Sequence, residues 1–337
     1  MIRWSAACLL YLLVLSGTFA WQLQKELATL YFAGSSAEVF IDIPRGSSPG
    51  AIADMLMSAG VLRRKLPVMI YLRWTGYARR LQAGEYRFSG PARPRELIGR
   101  LVRGDVYYVA VTVPEGLTAD ETVELIAKLG LANLEALRRS LQRTDFIRDL
   151  DPAATALEGY LFPETYRFAR KAHSDSIISA MTQQFRITMR KLLEEHALPA
   201  DRTLREIVIL ASIIEKEARV DEERELVASV LANRLQRRMP LACDPTIIYA
   251  LKLAGRYDGN IRKPDLEIDS PYNTYIRRGL PPGPVANPGV SSLRAALAPK
   301  PTPYLYFVSR NDGTHHFSAD FRAHAEAVSR YQKKQVR

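Results

Sequence analysis

LREIVILASIIEKEARVDEER, Leu204 to Arg224, is the stretch on which the fold turns. Its apolar residues run on without the strict alternation of a half-exposed strand, which predicts a strongly apolar helix from Leu204 to Arg219. Two carboxylates, Glu215 and Glu217, stand close to its C-terminal end. A second helix is expected over Glu222–Arg237.

Helical patterns also dominate upstream, over Ala119–Leu129, Asn133–Leu141 and Ser174–Glu195. Downstream, from about Leu241, proline and glycine become frequent, and GLPPGPVANPG (Gly279–Gly289) can be neither a regular helix nor a central strand. YLYFVS (Tyr304–Ser309) reads as a late strand and Asp320–Gln332 as a closing amphipathic helix. A mainly helical α+β domain over residues 115–337 follows.

Residues 38–114 read differently. EVFIDIP alternates like a strand, Ser48–Gly60 has the cap and apolar spacing of a helix, and another helix is expected from about Leu66 to Trp74. LQAGEYRF (Leu81–Phe88) reads as a strand, Pro94–Gly104 as a helix and Val106–Pro114 as a long strand. The order strand, helix, helix, strand resembles a LysM-type sugar-binding module, with a generic α+β spacer as the alternative. A short linker, Phe32–Ala37, precedes it.

At the N-terminus, WSAACLLYLLVLSGTFAW (Trp4–Trp21) carries no charge, and its length predicts a transmembrane helix, residues 1–22, with aromatic residues near both interfaces. Arg3 before it places the N-terminus in the cytoplasm and the body outside. Gly17, Thr18 and Ala20 would suit a cleavable signal instead. An uncleaved anchor in the bacterial inner membrane, with an exported catalytic domain, is the expectation.

The formal net charge is +11. Between Val61 and Ala110 stand eleven Lys or Arg (Arg63, Arg64, Lys65, Arg73, Arg79, Arg80, Arg87, Arg93, Arg95, Arg100, Arg103) against Glu85, Glu96 and Asp105. Such a field draws any polyanion, whether nucleic acid, lipid headgroups or an acidic wall polymer. No zinc-finger spacing or aromatic RNA-binding signature accompanies it, so nucleic acid is not an expected partner. Cys8 and Cys243 lie too far apart in character to suggest a disulfide, and the histidines form no HExxH. No metal and no cofactor are expected. Neither a GxSxG elbow nor a P-loop is present.

The chemistry therefore turns on the two glutamates. At a spacing of two they leave a helix about 200° apart and cannot share one substrate bond. Glu215 has Ala211 and Ser212 before it and Arg219 four positions after it, an arrangement suited to an ion pair that keeps it charged. Glu217 has Ile213 and Ile214 before it and Asp221 four after it, so desolvation and a like charge both favour its neutral form. A protonated glutamic acid is what general-acid cleavage of a glycosidic bond needs. The alternative is that both are ordinary surface glutamates at a helix end. A hydrolase would also require a second carboxylate, for which Asp221, Asp244 and Asp269 are open candidates that spacing does not separate.

ASIIEKEA (Ala211–Ala218), VASVLANRL (Val227–Leu235), CDPTIIYAL (Cys243–Leu251), SPYNTYIRRGLPPGPVANPG (Ser270–Gly289) and PTPYLYFV (Pro301–Val308) together resemble the YceG-like (MltG) family of endolytic murein transglycosylases. LQAGEYRF (Leu81–Phe88), VPEGLT (Val113–Thr118) and LEGYLFPETY (Leu157–Tyr166) extend the resemblance over essentially the whole exported chain. It implies Glu217, the second glutamate of EKE, as the catalytic acid/base. It also implies a LysM-like region and a cleft-bearing catalytic domain. The substrate would be peptidoglycan glycan strands, cut without water to 1,6-anhydro ends beside peptidoglycan synthases, so that strand elongation terminates. From the matching blocks, Tyr272, Asn273, Thr274 and Tyr275 are candidates for substrate contact because amides, hydroxyls and ring faces suit sugar hydroxyls, acetamido groups and pyranose stacking. Asp244, Thr246 and His315 are further candidates. Asp-Pro-Thr could equally cap a helix, and Tyr-Asn-Thr-Tyr could pack a loop. A non-catalytic glycan-binding scaffold for a synthase and a hydrolytic muramidase are the competing readings.

Overall fold

The computed structural model describes residues 2–32, 38–170 and 172–333; the linker expected at Phe32–Ala37 lies outside them except for Phe32, as does the side chain of Cys8. The chain divides into two units, Met1–Val109 and Ala110–Arg337.

In the first unit, α1 (Ile2–Ala28) precedes β1 (Val39–Ile43), α2 (Pro49–Ser58), α3 (Lys65–Thr75), β2 (Gly84–Phe88) and α4 (Pro94–Arg103). β1 and β2 pair antiparallel, Val39 opposite Phe88 and Ile43 opposite Gly84. Ile41, Ile43, Tyr86 and Phe88 alternate onto the face covered by Ile52 and Leu56 of α2, Val68 and Leu72 of α3, and Leu97, Ile98 and Leu101 of α4. Ser48 caps α2 by accepting from the Ala51 amide at 3.2 Å.

The expected transmembrane anchor is corrected here: among the described residues no helix is long and apolar enough to cross a membrane. Within α1 the mainly apolar run ends at Trp21. Gln22, Gln24, Lys25 and Glu26 follow. The last turns of α1 pack on α3 and α4, where Leu27 is 2% exposed, a burial that contributes about 2 kcal/mol.

The basic stretch is also partly neutralised by acids distant in sequence. Arg64 pairs with Glu26, Lys65 with Asp54 and Arg87 with Glu38, while Arg93 and Arg103 pair with Glu96 and Asp105.

β3 (Val109–Thr112), all but its first residue in the second unit, pairs with β4 (Thr165–Phe168). Helices α5 (Ala119–Lys128), α6 (Leu134–Leu141), α7 (Ser174–Glu195), α8 (Leu204–Glu217), α9 (Asp221–Gln236), α10 (Asp244–Leu253) and α11 (Val290–Leu297) make up most of the rest. An antiparallel hairpin, β5 (Tyr306–Ser309) with β6 (His315–Ser318), and α12 (Phe321–Val328) close it. Two helices thus interrupt the stretch that proline and glycine had marked as irregular. Pro245 lies in the first turn of α10, where the missing N–H breaks no bond, and α11 begins directly after the Asn-Pro-Gly turn.

α8 is the centre of this unit. Ile207 to Ile214 are all buried, and α9, α10 and α11 pack around the helix. Such all-round apolarity is stable only when other elements cover every face. Its start is fixed by a capping box in which Thr203 Oγ1 accepts from the Glu206 amide and Glu206 accepts from the Thr203 amide.

Candidate active site

The end of α8 separates the two glutamates. The helix stops at Glu217, and Ala218 is extended, with ψ 121°. The residues after it therefore leave the helical spacing, and the partners expected four positions on are not the ones observed. Glu215 pairs not with Arg219 but with Arg224, in the first turns of α9, at 3.2 Å. Its other oxygen accepts from the Gly289 amide at 2.9 Å. Its side chain is only 6% exposed, so both oxygens are spent on a buried structural pairing. Arg224 is also held by Asp221 at 2.8 Å and donates to Ser292 at 2.6 Å.

Glu217 leaves the helix on the other side and is half-buried. Burial raises its pKa first, and the negative charge of Asp244, rather than of Asp221, raises it further. A hydrogen bond with the Cys243 side chain and the charge of Arg234 pull the other way, leaving it at about 7. Buried Cys243 precedes α10 and Asp244 is its first residue. Arg234 comes from α9, donating to the carbonyls of Leu305 at 2.7 Å and Leu241 at 2.6 Å, with its guanidinium over the Tyr306 ring at 5.4 Å. It is pinned by those carbonyls and cannot swing in to form a full ion pair that would strip Glu217 of its proton.

The Tyr-Asn-Thr-Tyr loop splits into two kinds of residue. Asn273 and Thr274 are buried, as is Thr246 of α10. Asn273 donates to the carbonyls of Leu266 and Ile268 and accepts from the Tyr275 amide. Thr274 Oγ1 accepts from the Cys243 amide at 3.1 Å and shares a 2.8 Å hydrogen bond with Thr246, which donates to the Cys243 carbonyl. These three shape the loop from within and lock Cys243 beneath Glu217. The tyrosines face outward. Tyr275 is half-buried and its hydroxyl donates to Asp244 at 2.5 Å, so the loop places a phenol and a carboxylate beside Glu217. Tyr272 is half-buried with its ring 4.8 Å from that of Tyr249 on α10. His315 is brought to neither group: its backbone amide and Nδ1 both meet Glu223, at 2.8 and 2.7 Å.

The proline-rich loop is organised by Asn287, whose place sequence reasoning left unassigned. Fully buried, it accepts from the Gly159 and Leu161 amides at 3.0 and 3.1 Å and donates to the Leu117 carbonyl and Thr122 Oγ1. Ser212 reinforces this by accepting from the Val285 amide at 3.0 Å, which ties the loop to α8. Gly159 has φ +86°, and a Cβ there would stand 2.6 Å from Pro284. Arg224, Arg234, Cys243, Glu158 and Asn287 were likewise not singled out from the sequence. The only signal any of them gave was membership of the blocks quoted above, because their partners are distant in sequence.

Among the described residues no group of three or more His, Cys, Asp or Glu side chains is placed to hold a metal ion. What the site offers is one acid poised near neutrality, one exposed carboxylate capped by a phenol, and a fixed guanidinium.

Known proteins are similar to this chain in sequence and in fold. A family model described as the YceG-like family matches residues 41–330. A Bacillus subtilis protein named endolytic murein transglycosylase is 34% identical over 338 residues, covering 95% of this chain and 91% of its own length. Proteins of the same name from two Streptococcus pneumoniae strains are 29% and 30% identical; this chain spans 59% of their length. The crystal structure of a yceG-like protein from Listeria monocytogenes superposes with a TM-score of 0.57 at 30% identity, covering 87% of this chain and 99% of that one.

Proposed function

The chain belongs to the YceG-like family, and from that premise we propose that Glu217 is the lone acid/base of an endolytic murein transglycosylase. The enzyme is a lyase that cuts within peptidoglycan glycan strands and leaves 1,6-anhydro ends. The observation that carries the role of Glu217 is its position. It is half-buried beside Asp244 with a pKa of about 7, while Glu215 is consumed by Arg224 and the Gly289 amide.

A carboxyl titrating near neutrality both gives and takes a proton with little free-energy cost. Protonated Glu217 donates to the glycosidic oxygen as the bond from the muramyl C1 to that oxygen breaks, and the released sugar leaves with a hydroxyl. The carboxylate then accepts the proton of the muramyl C6 hydroxyl as its oxygen bonds to C1, closing the anhydro ring. The proton count returns to its starting point and no water is consumed. Exposed Asp244, held by Tyr275, adds its negative charge to burial in keeping the proton on Glu217 and faces positive charge building on the sugar ring. Tyr272, Tyr275 and Asp244 make the direct glycan contacts, and Thr246, Asn273 and Thr274 support them from beneath. The strand, helix, helix, strand order of the first unit is consistent with a LysM-like glycan-binding role. A murein substrate implies that the body works outside the cytoplasm.

The closeness of Asp244 to Glu217 favours one second reading, a hydrolytic muramidase with Asp244 as its other carboxylate. Mass spectrometry of purified peptidoglycan after digestion separates the two: anhydro-muramyl ends are expected, and reducing ends would establish hydrolysis. Glu217→Gln is expected to give no products. Full turnover by that variant would remove the assignment, and binding without any cleavage by the wild type would leave a scaffold.

A further inference from the structure

Glu158 is a half-buried titratable group that the cleavage steps do not use. It belongs to the loop stitched by Asn287 and places one carboxyl oxygen 3.0 Å from the Ala119 amide, at the first residue of α5. The other lies 3.1 Å from the Tyr249 hydroxyl. One helical turn beyond Tyr249, Lys252 pairs with Glu121 of α5 at 2.6 Å. Two rungs thus fasten α10 to the start of α5, one ionic and one through Glu158. Lys252 is spent on Glu121, whose own charge also opposes ionisation of Glu158. Burial dominates, and the group sits at about 8. A carboxyl here costs the fold free energy that a glutamine would not, since its Oε1 can accept from the Ala119 amide while its Nε2 donates to the Tyr249 hydroxyl.

The consequence of the Glu158 rung lies on the far side of Tyr249, whose ring packs on Tyr272 at an interplanar angle of 55°. The Tyr272 hydroxyl is confined in turn, since a Cβ on Gly283 would stand 3.0 Å from it. We propose that Glu158 is a positioning residue which, by holding the Tyr249 hydroxyl, sets the face that Tyr272 presents to the glycan strand. This rests on Tyr272 contacting glycan, as the functional reading above holds. Glu158 itself touches no substrate and takes no part in proton transfer; it decides how well a sugar ring is received.

Soluble, uncrosslinked murein glycan strands titrated into the full chain test this, with binding read in a Glu217→Gln background and KM and kcat read with Glu217 intact. Glu158→Leu and Tyr249→Phe remove the hydrogen bond from either end and are expected to weaken binding about tenfold, the size of one lost oriented bond. KM should rise by the same factor with kcat little changed, the signature of binding lost equally in ground and transition states. Glu158→Gln should restore both. Unchanged binding in Tyr249→Phe overturns the proposal even if Glu158→Leu fails to fold, and so does a lower melting temperature with unaltered KM. Failure of the Glu217 assignment would appear separately, as turnover by Glu217→Gln, and would leave the KM series readable.

Discussion

Glu217→Gln should stabilise the protein while abolishing its activity, and the gain should depend on pH. The carboxyl ordinarily titrates near 4.5 and stands at about 7 in the fold. A raised carboxyl pKa means that the native state holds a proton the unfolded chain has released. Stability contributed by this group is therefore full below about 4.5 and is lost as pH rises toward 7. At about 1.4 kcal/mol per pKa unit, the ceiling on the penalty at pH 8 is about 3 kcal/mol. Solvent reaches part of the half-buried side chain and screens it, which reduces the expected value to about 1–2 kcal/mol. For a folding unit of this size that corresponds to a rise of about 3–6 °C in melting temperature. Glutamine has nearly the same shape and no proton to lose, so it escapes the penalty. Thermal unfolding of wild type and variant at pH 8 and at pH 4.5 measures it directly. The difference should be present at pH 8 and absent at pH 4.5. A variant equally or less stable at pH 8, or a gain independent of pH, would refute the claim that burial and Asp244 hold Glu217 neutral.

Turnover should fall as pH rises through about 7, because the starting form of Glu217 is the acid. In pH–rate profiles, Asp244→Asn should move that limb down by removing a like charge, and Cys243→Ala should move it up by removing a hydrogen bond to the charged form. Arg224→Ala leaves Glu215 buried without its cation and should cost about 3–5 kcal/mol in denaturant unfolding, far more than Glu215→Gln, which still accepts from Gly289. Asn287→Ala deletes four side-chain hydrogen bonds in a fully buried position and should cost about 3 kcal/mol or more. Resistance to proteolysis should fall with it around residues 157–161, where its acceptor oxygen binds the chain.

The sequence by itself determined the elements whose stability is local. α8 was legible from its apolar run, and α2, α5, α6 and α7 from caps and spacing. The pair β1 and β2 was legible from alternation. It also determined that Glu215 and Glu217 point apart, since helical geometry fixes that over three residues. The sequence led to the expectation of burial plus a like charge at Glu217, and the structure has both, but the like charge comes from Asp244 and not from Asp221. A helix whose end cannot be read from pattern to within a turn does not have reliable neighbours four positions beyond it. α8 ends at Glu217, so Asp221 and Arg219 fall away, and Asp244 and Arg224 take the places assigned to them. Length and apolarity likewise suggested a membrane span, whereas among the described residues no helix is long and apolar enough to cross, and the last turns of α1 pack on α3 and α4. Only the tertiary structure decided what surrounds the acid. Asp244, Cys243 and Arg234 reach Glu217 from α10 and α9, and Asn287 and Gly159 meet across 128 positions. Electrostatic fields and buried hydrogen bonds act through space over a few ångströms, and a chain carries no local mark of which distant residue its folding will bring within that range.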